Sequence, residues 1–472
     1  MILAVSISAP VGWSVVITLG IIWVGLGIWW GRKSQDSEGF MLAGRNIGLA
    51  LGAATAMATW ITSNTVMVAP KLAFTQGIWG MLGYSAAAFG LLLFAPLCLR
   101  IRSILPKGMT AGDFFHHRFG KAGWVLFMII TLIYSIAWLV TMSIAGGELL
   151  KALADIPYWQ GMTLILVVCV LYTLFGGLYA VVGTDFVQSL IILGGILLIG
   201  VLVLNQIDVP KAHQSIVETQ PTLLHYGMPV ALLSLFNLML FGFGEVFHNN
   251  VWWSRAFAIR KDIAPKAFFL AGLLWLPIPV AAGFAAIAAT PLGVNITDVN
   301  QTGPVVAEHV LLQAGFGMIA GLLILVVLFC SIASSIDSLL AATSDLILSD
   351  MTKVVLGKEI QEGNFHKIAG IVTIAVGLLV WSLSLPRWPI VKVLYLSGPL
   401  VASLIWPIIA GLYWQKINRK LVLVGIGVAC TVGVLAYYLL GWFTASLIGA
   451  SVSMVITIAA RWISPTPIDR KA

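Results

Sequence analysis

Apolar stretches of about 20 residues, each long enough to cross a ~30 Å hydrocarbon core, follow one another along almost the whole chain with only short polar turns between them. Lipid offers no hydrogen-bond partner, so each stretch must satisfy its own backbone, and stretches of this length do so as helices. About thirteen runs can be marked on this criterion. Among them are 46 to 70, 159 to 177, 185 to 205, 227 to 253 and 315 to 345. Composition agrees: 60% of the 472 residues are hydrophobic and 9% are charged, where soluble chains carry about 25% charged residues. A cytosolic enzyme, a nucleic-acid binder and a disordered hub are excluded. Cys98, Cys169, Cys330 and Cys430 lie in or beside apolar runs without metal-ligand spacing and read as small buried hydrophobes.

The net charge of +8 is explained by topology. If the first run, 12 to 30, starts outside, then alternation places every Lys and Arg on the inner side except Lys71, Lys151, Lys211, Arg387 and Lys392. That bias is the positive-inside pattern. The lead-in MILAVSISAP carries no charge, so the first run is expected to be a retained extra helix, with the N-terminus outside and the C-terminus cytoplasmic. The compact tail and short loops fit a bacterial inner membrane protein built as one transmembrane domain over 1–472. No phosphate-binding loop is present, and the polar loops are too short for an independent enzyme core. Uphill transport by such a chain must draw on an ion gradient.

Two runs are interrupted by polar residues at their middle. One reads Ala58-Thr59-Trp60-Ile61-Thr62-Ser63-Asn64-Thr65, the other Gly244-Glu245-Val246-Phe247-His248-Asn249-Asn250. Counted past the extra helix, they open two successive groups of five helices, 46–205 and 227–412, with two further helices in 420–460. Broken first helices in two such halves expose carbonyls for cations and half-helix ends for a solute. Tight packing of small residues is the competing reading. The run 315 to 345 adds Ser331, Ser334, Ser335 and Ser338 at i, i+3, i+4, i+7, a hydroxyl stripe along one helix face. A sodium ion needs about five or six oxygens, by analogy with other hard cations. The stripe and the opened carbonyls near Ala58 and Ile61 can supply them; bonding of the hydroxyls to their own helix is the alternative. Asp337 is a carboxylate inside a membrane helix, which normally marks an ion or proton path. Asp185 is either a second such group or a helix N-cap. Glu245 and His248 share a face at i, i+3 and suggest a proton relay, a solute contact or, for Glu245, a pair with Lys71. Lys71 is expected to snorkel outward, Trp252 and Trp253 to anchor at the interface, with a cavity-lining role as the alternative, and Arg387-Trp388 to mark an outer helix end.

These features, with Phe40-Met41-Leu42-Ala43-Gly44-Arg45, the Gly176-Gly177-Leu178-Tyr179-Ala180 turn and Thr184-Asp185, resemble the sodium:solute symporter family over nearly the whole chain. The resemblance implies an all-helical, five-plus-five inverted-repeat core of the leucine-transporter kind, with broken first and sixth core helices. It implies a principal sodium site at Ala58, Ile61, Ser331, Ser334 and Ser335, and a second at Asp185, Ser334, Asp337 and Ser338, where Asp337 departs from the family's hydroxyl. By position it implies a solute site at Thr65 and Asn249, flanked by Trp60 and Asn64, and the residues add Glu245 and His248. The stretch from Trp60 through Gly77 is somewhat similar to the urea-transporting branch.

The expected function is therefore sodium-coupled import of a small polar, nitrogen-containing solute such as urea by alternating access, with no catalytic site. Sodium is the coupling ion, and the partners are the solute and the bilayer, with no nucleic acid. The protein is expected to be a monomer or a loose homo-oligomer. A proton-coupled symporter is the rival reading, from Glu245, His248 and Asp337, and a solute-sensing membrane protein is a third.

Overall fold

The computed structural model describes residues 7–34, 36–225, 227, 229–355, 357 and 362–467. Of the basic residues assigned to the inner face, Lys358, Arg470 and Lys471 lie outside these. The chain is helical throughout apart from a two-residue pairing of Lys416–Ile417 with Thr466–Pro467. It opens with α1 (Ala9–Gly31), a short α2 (Ser37–Leu42), then α3 (Leu49–Trp60) and α4 (Ser63–Gln76). There follow α5 (Ile78–Ser85), α6 (Phe89–Ile104), α7 (Ala111–Ala154), α8 (Tyr158–Gln206) and a loop helix α9 (Val209–Thr219). The second half holds α10 (Pro229–His248), α11 (Asn250–Ala258), α12 (Ala264–Trp275), α13 (Pro277–Ile287) and α14 (Thr302–Gln313). Then come α15 (Ile319–Leu346), α16 (Glu362–Ser384), α17 (Ile390–Ala402), α18 (Ile405–Tyr413), α19 (Arg419–Leu439) and α20 (Trp442–Trp462).

Among the described residues, 11 helices are long and apolar enough to cross a membrane. This differs from the expected thirteen at two places. The run 46 to 70 is divided at the break between α3 and α4, each half too short to be counted as a span. The runs 159 to 177 and 185 to 205 fall within one 49-residue element, α8, kinked at Gly177. Gly177 has φ 52°, and a Cβ there would sit 2.4 Å from the Phe40 carbonyl oxygen, so only glycine fits. Helix runs unbroken from there through Asp185, which is fully buried in mid-helix; the N-cap reading of Asp185 is overturned.

With apolar residues on all sides, small residues decide which face of each helix turns inward. On α1 the buried stripe is Gly12, Val16, Gly20, Trp23, Gly27 and Gly31. A Cβ at Gly27 would lie 2.7 Å from that of Tyr172, so α1 sits in close backbone contact on α8. At the centre stands α15, every residue of which from Leu328 to Leu346 is buried, packed against α3, α7, α8 and α11. The α19–α20 pair leans on α10 and α17.

One end of the bundle is closed by polar contacts. Arg102 Nη1 donates to the carbonyls of Ala256, Phe257 and Ile259 at 2.9, 3.0 and 2.8 Å, holding the last turn of α11. Asn250 bridges the Ala111 amide and the Ala342 carbonyl, at 3.0 and 2.9 Å. Asp350 accepts from Thr110 Oγ1 at 2.6 Å and Trp124 Nε1 at 2.8 Å. The other end opens into a vestibule of about 520 Å³ lined by Lys71, Glu148, Asp298, Gln301, Arg387 and Trp388. Arg387 and Trp388 do stand between two helices, as expected. Arg387 Nε also reaches Glu148 across the vestibule at 2.7 Å.

Candidate cation and solute site

The helix of α3 ends at Trp60, and Ile61 leaves helical geometry at φ −83°, ψ 81°. Thr65 closes the gap, its Oγ1 donating to the Trp60 carbonyl at 3.1 Å and accepting from the Thr62 amide at 3.3 Å. Thr65 was expected on the solute; its hydroxyl is fully buried and holds the break instead, because the first turn of α4 leaves backbone groups that need a partner. The side chain of Asn64 lies outside the described residues.

The serine stripe of α15 faces this break. Ser334 Oγ lies 3.4 Å from the Ala58 carbonyl and 3.3 Å from that of Ser331. Ser335 Oγ lies 3.2 Å from the Thr59 carbonyl, 3.4 Å from that of Ile61 and 3.1 Å from that of Ser331. Ser331 turns its own hydroxyl back to Val327, 2.9 Å away, so it offers only a carbonyl. Ala58, Ile61, Ser331, Ser334 and Ser335 thus meet as a cluster of neutral oxygens. Such a donor set suits a hard monovalent cation, and the long hydroxyl contacts cost little to exchange for an ion.

A second break divides α10 from α11 at Asn249, with φ −71° and ψ 129°. Asn249 Oδ1 caps α11 through the Val251 amide at 3.0 Å, and its Nδ2 donates to Glu245 Oε1 at 3.1 Å. Trp252 Nε1 donates to Glu245 Oε2 at 2.8 Å. Trp252 and Trp253 are therefore not interface anchors: they are 2% and 0% exposed, and Trp253 Nε1 donates to the Phe247 carbonyl at 2.7 Å. The interruption at Asn249 puts α11 inside the bundle, where an indole N–H must find an acceptor.

His248 is turned the other way from Glu245. Its Nδ1 pairs with the Gly244 carbonyl at 2.7 Å and its ring stands edge-on to Tyr134. Between the two breaks lies a cavity of about 40 Å³ whose wall includes Thr59, Trp60, Glu245, Asn249, Trp252 and Ser335. Of the residues expected at a solute site, Trp60, Glu245 and Asn249 line this cavity, and Thr65 and His248 do not. Lys71 lines the vestibule, not the cavity beside Glu245.

Below the serine cluster, Arg255 is 0% exposed and paired with Asp185 Oδ2 at 3.2 Å. Its Nη2 also donates to Thr55 at 2.9 Å, Thr59 at 2.8 Å and Ser338 at 2.7 Å. Sequence reasoning counted Arg255 among the inner-face charges; the structure makes it the centre of a buried polar cluster. Asp185 and Ser338, both expected at a second cation site, are together here, and Asp185 Oδ1 has no partner. Asp337 lies beside this cluster, close enough for its charge to act on Asp185 and Arg255, and accepts from Tyr172 at 2.6 Å and from the Ser338 amide. Its side chain leaves the helix on the α8 side of the stripe.

The sequence profile of the sodium:solute symporter family matches residues 40–428. The osmoregulated proline transporter OpuE of Bacillus subtilis is 26% identical over 86% of this chain and 85% of its own length. The urea-proton symporter DUR3 of Oryza sativa is 25% identical over 91% of this chain, which spans 65% of that relative. The probable urea active transporter 3 of Schizosaccharomyces pombe is 24% identical over 84% of this chain, again with 65% of its own length covered. In three dimensions, a Na+-coupled sialic acid symporter in a substrate-bound outward-open state aligns with TM-score 0.81 at 17% identity, over 97% of this chain and 99% of the other. The nucleobase-cation-symport transporter Mhp1, closed on a bound hydantoin, aligns at 0.56 and 13% identity, over 91% of this chain and 95% of that one. The fold is thus that of these transporters, and by the match of its sequence along most of its length this multi-pass membrane protein belongs to the sodium:solute symporter family.

Proposed function

We propose that the chain couples inward sodium movement to the uptake of a small polar, nitrogen-containing solute by alternating access. The carrying observation is that Ser335 belongs to both places. Its hydroxyl lies among the Thr59, Ile61 and Ser331 carbonyls, and the same residue lines the 40 Å³ cavity. A cation held there by Ala58, Ile61, Ser331, Ser334 and Ser335 fixes the α3–α4 break against α15 and so shapes the wall that meets the solute. Binding of either then favours binding of the other. In this reading the residues 46–205 and 227–412 are the two repeats that rock about the site. The vestibule is the outside entrance, the C-terminus is cytoplasmic, and the working unit is a single chain in a plasma membrane.

A second sodium at Asp185, Asp337 and Ser338 is supported by Asp185 Oδ1, which has no hydrogen-bond partner among the described residues. The rival, proton coupling, is favoured by Glu245, a buried carboxylate with no ion-pair partner among the described residues. Thermal stability of the purified protein in sodium against potassium, with Ser334→Ala alongside, tests the reading. A sodium-dependent rise that Ser334→Ala loses is the expected result. No sodium effect in the parent, together with liposome uptake that follows a pH gradient, would replace sodium by the proton.

A further inference from the structure

The cavity's chemistry says more about the solute than its size does. Glu245 is 5% exposed and forms part of the cavity wall. Its two oxygens accept one bond each, from Asn249 and Trp252, both neutral donors. A carboxylate has room for about four such bonds, so about half its capacity is unused among the described residues. None of the neighbouring cations compensates it. Arg255 is committed to Asp185, His248 to the Gly244 carbonyl, and Lys71 lies in the vestibule. Among the described residues no Lys, Arg or His forms an ion pair with Glu245.

Six aromatic rings share this wall with aliphatic and hydroxyl side chains. Trp60 and Trp252 meet at 4.9 Å between ring centroids, Trp138 and Phe241 stack at 5.8 Å, and Tyr84 and Tyr395 also line the space. Ring faces carry negative charge density and attract cations within about 6 Å, most strongly where water is excluded. A buried carboxylate with no ion-pair partner among the described residues and a cluster of aromatic rings favour the same ligand. At about 40 Å³ the space equals roughly three or four water-sized probe volumes of about 10–15 Å³, enough for a single small head group.

We propose that the transported solute carries a compact organic cation, an ammonium or guanidinium group, which enters the aromatic cavity and pairs with Glu245. This rests on the symporter reading and narrows its substrate. Urea offers a decisive comparison, because guanidinium has the same planar shape and number of heavy atoms but carries a full positive charge. Both can donate N–H bonds to Glu245; only the cation neutralises it.

The test measures binding to the purified full-length protein in sodium, by thermal shift titration at millimolar, non-denaturing concentrations. The probes are guanidinium, methylammonium and tetramethylammonium against urea and acetamide. At least one cation is expected to bind tenfold or more tightly than its neutral counterpart. Glu245→Gln should remove that preference, and Trp138→Leu should weaken tetramethylammonium more than urea. The sodium-dependent rise in melting temperature, read in the same samples, reports whether each variant is folded; if Glu245→Gln is not, Trp138→Leu decides alone. Urea or acetamide binding as tightly as every one of the three cations, no response to any cation, or a cation preference that survives both substitutions would overturn the proposal. In each of those cases an intact sodium effect in the parent leaves the symporter reading standing, whereas loss of the sodium effect itself is what would remove that reading.

Discussion

Arg255 and Asp185 make the sharpest energetic prediction in the molecule. Both side chains are 0% exposed, deep in a bundle surrounded by lipid. Asp185→Asn keeps the shape and removes the charge. Arg255 would then retain only neutral acceptors, namely the hydroxyls of Thr55, Thr59 and Ser338 and the Val251 carbonyl at 3.2 Å. Breaking one side of a buried ion pair costs about 3–5 kcal/mol, because the remaining charge stays out of water without compensation. Arg255→Met should cost a similar amount, since Asp185 Oδ1 already lacks a partner and Oδ2 would keep only the Thr55 and Ser338 hydroxyls. The double variant Asp185→Asn/Arg255→Met removes both members of the pair and should be less destabilised than either single change. Unfolding free energies in mixed detergent micelles, compared as a double-mutant cycle, measure this directly. If Asp185→Asn stays within about 1 kcal/mol of the parent, or if the double variant costs the sum of the singles, the two charges do not compensate each other and the argument is wrong.

Three further outcomes follow from single positions. Ser335→Ala removes the hydroxyl that lies among the Thr59, Ile61 and Ser331 carbonyls and should weaken sodium about tenfold, or ~1.4 kcal/mol, in a sodium titration of uptake or of melting temperature; an unchanged sodium midpoint would remove Ser335 from the ion site. Arg102→Gln abandons most of the contacts to the Ala256, Phe257 and Ile259 carbonyls, so labelling of cysteines introduced at the closed end should accelerate while the vestibule end labels more slowly. Gly177→Ala puts a Cβ 2.4 Å from the Phe40 carbonyl oxygen at a φ of 52° and should destabilise by about 1–3 kcal/mol, whereas Gly194→Ala on the same helix, with open space around it, should be close to neutral.

How much of this was legible in the sequence depends on where a polar residue falls along an apolar run. Ser334 and Ser335 could be read because hydroxyls repeated on one face in mid-span have no role in contacting lipid, and the structure puts them against the carbonyls of Ala58, Thr59 and Ile61. Glu245 could be read for the same reason, since a carboxylate in mid-membrane needs an explanation. Asp337 could be flagged but not aimed: it stands one residue off the serine stripe of α15 and accepts from Tyr172, a contact that period alone does not reveal. Arg255, Trp252 and Trp253 were misread because Trp and Arg at the end of an apolar run are what a membrane interface selects. The information needed to place them was nevertheless present three to six residues upstream. A span that breaks at Asn249 begins a new helix at Asn250, and a new helix that starts at mid-depth carries its first two turns inside the protein. Reading the polar stretch around Asn249 as an interruption therefore already forbids reading Trp252 and Arg255 as an end. Taken together, the two statements require an indole to find an acceptor and a guanidinium to find a carboxylate within the bundle, and Glu245 and Asp185 are the acceptors they find.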